Sequence, residues 1–365
     1  MKKILVVGQT PPPYGGQALM IKYMLDAEYE DIKLYHVRMA FSKSFNDRGK
    51  FSFYKITHLF EIIFLIWKNK IKYNPDILYY PPSSAPKVAL LRDVIILGFT
   101  RFLFKKTIFH FHASGLSEEL PKYNRIVRAI AYHILSKPNV GITSSEYNPK
   151  DGEYLKAKRV DIMPLGIPDL NKDKVRVFGN GRPLNILFVG LLNCTKGEGF
   201  VLDALHLLSK KQKQAHFYLA GRFQSEEYKQ VFFQKVEDYH LKDYVHYMGV
   251  VTGEDKKKLF LKCDIMCFPS FFSSESFGMV LLEAMMYQMP IIATRWRGIQ
   301  SIVDEGKNGF LVDIKNASQI ADKLEYFIDH RDQIIMMGNK GRQIFEQKYT
   351  VEKYISNLTN IFNTI

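Results

Sequence analysis

Two carboxylates, Glu275 and Glu283, stand eight residues apart around a glycine that opens a helix. A short apolar strand, Asp264 to Phe268, precedes them and is closed by Pro269, as a fully covered parallel strand should be. A polar loop, Ser270 to Ser276, carries Glu275. The pattern then predicts an amphipathic helix from near Phe277 toward Gln288, stopped by Pro290. Eight residues is a little over two helical turns, so both carboxylates look along one side where the helix includes or nearly includes both. Between them Gly278, Met279 and Val280 form a first turn, where N–H groups are unpaired and the dipole is positive. Gly278 has no side chain to hold a ligand off. This set suits a sugar nucleotide: amides hold a diphosphate, and carboxylates accept hydrogen bonds from sugar or ribose hydroxyls. The plainer reading is one solvated Glu and one Glu on a helix surface, and for two acids taken alone it is preferred.

Other residues with chemistry sit at strand ends. Lys196 precedes Gly197 at a helix start after the strand Asn185 to Gly190, where it either meets a phosphate as a point charge or is a surface lysine. Arg222 follows Ala220 and Gly221 at the end of the next strand. Near the beginning, Lys2 to Gly8 reads as a buried strand, Gln9 to Gly16 as a loop with Gly15 and Gly16, and Gln17 to about Ala27 as a helix. Strand, glycine turn and helix start make an anion site by geometry, without the G-x-G-x-x-G spacing of dinucleotide binders or a P-loop lysine. His112 ends the strand that begins at Thr107. A lone histidine is more often structural, but α/β proteins place ligands at the C-terminal ends of strands.

The elements that must position these residues alternate strand and helix throughout. At 365 residues, with 47% hydrophobic and 24% charged side chains, two α/β domains are expected. Further strands are expected at Ile32–Val37, Asp76–Tyr80, Val140–Thr143, Ala215–Gly221, Val245–Gly249 and Ile291–Thr294. Phe51–Lys72 reads as a helix in which Phe53, Ile56, Phe60, Ile63, Phe64 and Trp67 recur at spacings of three and four, flanked by Lys55, Lys68, Lys70 and Lys72. Such a face packs into a core with its lysines solvated, or lies on an anionic membrane; for this helix alone the core reading is preferred. Met39–Lys50, with Lys43, Arg48 and Lys50, reads as irregular, and a helix follows from about Ala85 to Phe104. Ser144 caps an expected helix. Residues 171–183, polar with Gly and Pro, read as the interdomain linker. Thr252–Lys262 includes a lysine-rich helix, Arg295 and Arg297 are expected to be exposed, and Lys315–Lys348 is expected to be helical.

The net charge of +14 is uneven. Residues 1–183 hold 29 Lys and Arg against 16 Asp and Glu, while the remainder holds 22 against 21. The basic first half points to an anionic partner: a membrane surface, a lipid diphosphate or a nucleic acid. No recognised nucleic-acid motif accompanies it. Cys194, Cys263 and Cys267 form no disulfide framework, and the last two suit packing in a buried strand better than metal binding. No stretch is long and apolar enough to span a bilayer. The absence of a signal-like segment leads to an expectation of a cytoplasmic protein, extending to the inner face of the cell membrane.

The stretch from Phe268 to Ala284, with Phe-Pro-Ser, Glu-Ser-Phe-Gly and Leu-Glu-Ala, resembles the E-x7-E signature of retaining glycosyltransferases, specifically glycosyltransferase family 4. Pro290–Thr294 and Glu305–Val312 fit the same family, as does the turn Pro164–Pro168 at the end of its first domain. The resemblance implies a GT-B fold: α/β, two Rossmann-like domains with parallel sheets facing across a cleft. The first, residues 1–170, would bind the acceptor. The second, residues 184–350, would bind the nucleotide-diphosphate sugar. The last helix, about 351–365, would cross back to the first. It also implies roles. Glu283 would hold the ribose, and Glu275 and His112 the donor sugar. Gly15, Gly16, Gly190, Ser276, Phe277, Gly278, Met279 and Val280 would line the donor. Lys196 would neutralise the leaving diphosphate. The arginine often found early in that loop is replaced by Leu191, with Arg222 a candidate helper. Transfer would retain configuration and use no metal and no cofactor, with a UDP-sugar the favoured donor and a glycan or lipid-linked acceptor at an anionic membrane. The rival readings are a sugar-nucleotide epimerase or hydrolase on the same fold, and a non-catalytic protein that binds anionic polymers.

Overall fold

The computed structural model describes residues 1–41, 53–84, 87–172, 176 and 182–365. Lys43, Arg48, Lys50, Phe51 and Ala85, and residues 173–175 and 177–181 of the expected linker, lie outside the described residues. The chain forms two compact units: Met1–Leu165 with Val351–Ile365, and Gly166–Thr350.

The first unit contains strands β1 (Lys2–Gly8), β2 (Ile32–Arg38), β3 (Ile77–Tyr80), β4 (Lys106–Phe111), β5 (Val140–Thr143) and β6 (Arg159–Ile162). They make one parallel sheet in the order β2-β1-β3-β4-β5-β6, with Lys2 opposite Ile32 and Ile4 opposite Ile77. Its helices are α1 (Gly16–Asp26), α2 (Phe53–Tyr73), α3 (Lys87–Thr100), α4 (Leu116–Glu119), α5 (Arg125–Leu135) and α6 (Asp151–Tyr154). Apolar runs such as Ile4 to Val7 are buried without alternation, because helices cover both faces of a parallel sheet.

The second unit repeats the rhythm with β7 (Leu184–Val189), α7 (Glu198–Lys210), β8 (Ala215–Ala220), α8 (Glu226–Asp238), β9 (Val245–Tyr247), α9 (Gly253–Lys262), β10 (Ile265–Phe268), α10 (Met279–Met286), β11 (Ile291–Thr294), β12 (Gly309–Val312), α11 (Ala317–Asp329) and α12 (Arg331–Lys348). Its sheet is also parallel, in the order β12-β11-β10-β7-β8-β9. The final helix, α13 (Val351–Thr364), packs in the first unit. There Lys2 Nζ donates to the carbonyls of Phe362 at 3.0 Å and Asn363 at 2.7 Å.

Four expectations are corrected. The helix expected to start at Ser144 is absent. Ser145 Oγ takes the Tyr147 N–H at 3.1 Å, Asn148 donates to Ser144 Oγ at 3.0 Å, and only the single turn α6 forms after Pro149. The helix expected across 315–348 breaks at His330 into α11 and α12. Residues 171–183, where described, pack on the second unit. Asn171 is buried and donates to Met286 O at 3.3 Å, and Arg176, also buried, donates to Tyr287 O at 2.9 Å. These contacts help to satisfy carbonyls at the end of α10, where Met286 O also accepts from Arg342 at 3.1 Å. The fourth concerns α2. Its buried positions are His58, Ile62 and Ile66; of the stripe expected to face the core, Ile63 packs partly buried against it, whereas Ile56, Phe60, Phe64 and Trp67 are exposed. Among the described residues no helix is long and apolar enough to cross a membrane.

Candidate functional site

In an open parallel sheet, ligands bind beyond the carboxyl ends of the strands where the strand order reverses. In the second unit that point lies between β7 and β10, which are hydrogen-bonded neighbours although successive connections leave them in opposite directions. The loop after β7 carries Lys196, and the loop after β10 carries Glu275. Lys196 Nζ lies 2.5 Å from Glu275 Oε2, and both side chains are mostly buried. Ser270 Oγ donates to the same carboxylate oxygen at 3.2 Å. The ammonium also stands 4.8 Å from the Phe272 ring centre and 5.5 Å from that of Phe268.

Local chemistry fixes both loops. Asn193 is buried, and its Oδ1 accepts from Thr195 N at 2.9 Å, Thr195 Oγ1 at 2.7 Å and Lys196 N at 3.1 Å. This side-chain-to-backbone turn aims Lys196. Gly197 then adopts φ +84°. A Cβ there would stand 2.1 Å from Pro269 O, so the start of α7 can press against the β10 loop only as glycine. Phe271 N donates to Thr195 O at 2.8 Å. On the far side Thr294 Oγ1 donates to Ser270 O, and Trp296 Nε1 donates to Phe272 O at 2.9 Å.

The helix after Glu275 begins two residues later than its hydrophobic pattern suggests. Gly278 takes φ +93° as the residue before α10 and has no side chain of its own to cap that end. The first-turn amides of Met279 and Val280 therefore carry the positive helix end. Phe277 and Ser276 are buried, and the Phe277 ring packs edge-on against Tyr349 at 5.9 Å, anchoring the turn. Glu283 is half-buried one turn from the end of α10. Its Oε1 accepts from Lys256 Nζ on α9 at 2.7 Å. Each carboxylate of the pair is thus matched to its own lysine, and the two do not share one helix face.

Gly190 and Gly221 bring the ends of β7 and β8 together: a Cβ on Gly221 would stand 1.8 Å from Gly190 O. The Arg222 carbonyl accepts from Leu192 N at 2.9 Å, which places Arg222 on this edge, half-buried, next to the half-buried Leu191. Arg295 is exposed, as expected, and bonds Glu305 at 3.2 Å. Arg297 is not exposed. At φ +44° its guanidinium folds over the Trp296 ring, 5.2 Å from the centre, and is buried.

Sequence reasoning missed Glu198, the first residue of α7, whose side chain is fully buried. Burial pushes its carboxyl up to about 8, against the pull of the nearby Lys196 charge and of hydrogen bonding with Tyr228. The folded protein therefore holds a proton that the unfolded chain loses near 4.5. Stability from this group is full below 4.5 and falls as pH rises toward 8. We expect Glu198→Gln to unfold later than wild type at pH 8 by on the order of a few kcal/mol, and to flatten the pH dependence between 5 and 8, read by thermal melts. Equal slopes in the two proteins would show that the carboxyl is already ionised. The signal available in the sequence was an acid directly after the Lys-Gly pair. Lys256 was equally legible, as part of a lysine-rich helix, but nothing in the sequence tied it to Glu283.

Gly15, Gly16 and His112 belong to the first unit. Gly15 and Gly16 open α1 after β1, at the end of the loop whose Pro12 carbonyl accepts from Arg38 at 2.7 Å. His112 follows β4. Its ring stacks on His110 at 3.8 Å, and Tyr79 Oη lies 2.6 Å from His110 Nδ1 and 3.4 Å from His112 Nε2. Desolvation lowers the His112 pKa to about 3, so the ring is neutral at pH 7 and titrates below the physiological range. The loop after it is held by the buried Asp151, which accepts from Gly115 N at 2.9 Å and Ser117 N at 2.7 Å. Among the described residues no group of three or more His, Cys, Asp or Glu is placed to hold a metal ion. Cys263 and Cys267 are buried thiols, and burial raises both, as packing residues require.

Residues 171–344 match the family described as glycosyl transferases group 1. That stretch contains Lys196, Glu275, Glu283 and the α10 turn. Among curated proteins the chain is 27% identical to an uncharacterized glycosyltransferase of Methanocaldococcus jannaschii over 182 residues, 49% of this chain and 48% of that one. It is 31% identical to the D-inositol 3-phosphate glycosyltransferase of Paenarthrobacter aurescens over 182 residues, 47% of this chain and 43% of that one. The chain spans about half the length of the curated relatives it matches first. Among solved structures, HepE of Anabaena in complex with UDP superposes with a TM-score of 0.73 over 100% of both chains at 15% identity. The fold is thus the two-unit α/β GT-B fold expected from the sequence.

Proposed function

We propose that the protein is a retaining glycosyltransferase of family 4, which moves a sugar from a nucleotide diphosphate, UDP favoured, to a glycan or lipid-linked acceptor. The observation that carries this is the arrangement of Lys196, Glu275 and the glycine-led start of α10 around the strand-order reversal of the second unit. It lies in the stretch matched to the glycosyltransferase family, and HepE, which shares the fold, is seen with UDP.

Lys196 and the amides of Met279 and Val280 meet the diphosphate and stabilise the negative charge that grows on it as the glycosidic bond breaks. This positive charge does the work that a metal ion does in other transferases, so neither metal nor cofactor is required. Glu283, steadied by Lys256, accepts from the ribose hydroxyls, and Glu275 accepts from a hydroxyl of the transferred sugar. Gly190, Ser276 and Phe277 shape the turns, and Arg222 adds a second cation. For the first unit, we assign the Gly15 and Gly16 amides to an anionic group and the neutral His112 to a hydrogen bond with a sugar hydroxyl. No side chain is assigned as nucleophile. A hydrolase would need two carboxylates set across the scissile bond, whereas each carboxylate here is bound to its own lysine. The acceptor-binding role falls to the first unit, whose basic surface also suits peripheral contact with an anionic membrane at its inner face.

The test is release of UDP from a panel of UDP-sugars with purified protein and lipid-linked or glycan acceptors, with and without chelator. Wild type is expected to turn over one donor equally in both. Glu275→Ala is expected to lose at least about tenfold in rate, the order of a hydrogen bond to a charged group. Transfer by Glu275→Ala at the wild-type rate would remove the sugar-binding assignment.

A further inference from the structure

The first unit presents an apolar surface that its own core does not use. On α2, Ile56, Phe60, Phe64, Trp67 and Ile71 recur every three or four residues, and all are exposed, Phe60 and Phe64 by more than 60%. On α3, Val88, Leu91, Ile95 and Phe99 do the same, followed by Phe102 at 68% exposure. On α5, Ile126 is 72% exposed and Ile130 51%. The stripes are continuous. Trp67 Nε1 donates to Phe99 O at 3.1 Å, the Trp67 and Phe102 rings meet edge-on at 5.9 Å, and α3 packs between α2 and α5. Soluble proteins scatter single exposed apolar residues but rarely line three adjacent helices with them.

The charge of these helices is one-sided. The three carry Lys55, Lys68, Lys70, Lys72, Lys87, Arg92, Arg125 and Arg128 against only Glu61 and Asp93. Asp93 is buried and cancels Arg92, and Glu61, hydrogen-bonded to His58, is the one exposed carboxylate on these helices against the seven other cations. An aromatic and aliphatic face rimmed by Lys and Arg is the composition that enters the headgroup region of an anionic bilayer. A protein partner would need acidic groups matched to scattered positions; a sheet of anionic headgroups meets them all.

We infer that the exposed face of α2, α3 and α5 is a membrane-docking surface for anionic lipid. This deepens the membrane contact proposed above by giving it a surface. It rests on that reading for its purpose only, since vesicle binding is read without donor or acceptor. A protein that binds vesicles but no nucleotide would fail the donor site alone, and the reverse result would fail this face alone.

The experiment is sedimentation of the full chain with vesicles of phosphatidylcholine containing 30% phosphatidylglycerol or none, at low and physiological salt, with ultracentrifugation of the free protein beside it. We expect binding to the anionic vesicles only, weakened by salt. The triple variant Phe60→Ser, Phe64→Ser, Phe99→Ser should bind at least about tenfold less, because three aromatic rings no longer leave water for the bilayer. Its thermal melt and nucleotide titration should match wild type. Should that variant not fold, wild-type tryptophan quenching by brominated lipid gives the same reading, since only Trp67 and Trp296 are present. Quenching is expected, and should vanish in Trp67→Phe. Three results would overturn the inference: no sedimentation at low salt, undiminished binding by the folded triple variant, or quenching that survives Trp67→Phe. A self-association of wild type that the triple variant abolishes, without lipid binding, would assign the face to a second copy instead.

Discussion

Lys196→Ala is expected to lower the rate of sugar transfer by about 10²- to 10³-fold, the loss seen when one preorganised charge-stabilising group is removed from a reacting centre. The lysine is held for this task before any substrate arrives. Asn193 fixes its backbone, Phe268 and Phe272 flank its ammonium, and Glu275 takes its charge at 2.5 Å. A surface lysine has none of this support, and its loss would leave the rate unchanged. The same pairing predicts how the variant fails. Removing the cation takes the ion pair from a mostly buried Glu275, so the binding of an anionic donor weakens as well. The check is steady-state kinetics against thermal stability. A large loss of kcat/KM in a protein that remains folded at the assay temperature supports the phosphate role. Wild-type turnover by a folded Lys196→Ala protein would exclude it.

Gly197→Ala is expected to damage the site from the backbone. The position needs φ +84°, and the added Cβ would lie 2.1 Å from Pro269 O, a backbone atom with no rotamer to yield. The left-handed conformation alone costs about 1–2 kcal/mol for a residue with a side chain. Relief of the clash must come by separating the start of α7 from the β10 loop, which moves Lys196 away from Glu275. We expect a loss of at least about 2 kcal/mol in stability together with a loss of nucleotide binding. Gly249→Ala, whose Cβ would meet nothing within 4 Å although its φ is +64°, provides the control for conformational strain without a clash. Equal melting temperatures for wild type and Gly197→Ala would show that the two loops are not pressed together in solution.

The fold was legible because parallel strands buried on both faces write themselves as apolar runs, and Ile265–Phe268 or Ile291–Thr294 admit little else. The α10 region was legible for a related reason: glycine before an apolar helix and acids on both sides are local features. What stayed hidden was set by contacts distant in sequence. Nothing near Glu283 announces Lys256, and nothing near Glu275 announces Lys196, 79 positions away. The buried Arg297 reads as polar in any composition count, and its guanidinium lies over the Trp296 ring. The α2 stripe failed in an instructive way. Periodicity reports that a helix has an apolar face, and both Ile62/Ile66 and Phe60/Phe64 lie at helical spacing, so the period does not say which set the core takes. The core took Ile62 and Ile66 and left Phe60, Phe64 and Ile71 to solvent.

The most direct test of the donor site is calorimetric titration of the protein with UDP, GDP and ADP in the absence of metal, with Glu283→Ala alongside. The account predicts clear binding of UDP by wild type, and at least about tenfold weaker binding by a Glu283→Ala protein that melts normally, since the variant loses charge-assisted hydrogen bonds to the ribose. Binding of no nucleotide, or equal binding of UDP by wild type and Glu283→Ala, would contradict it.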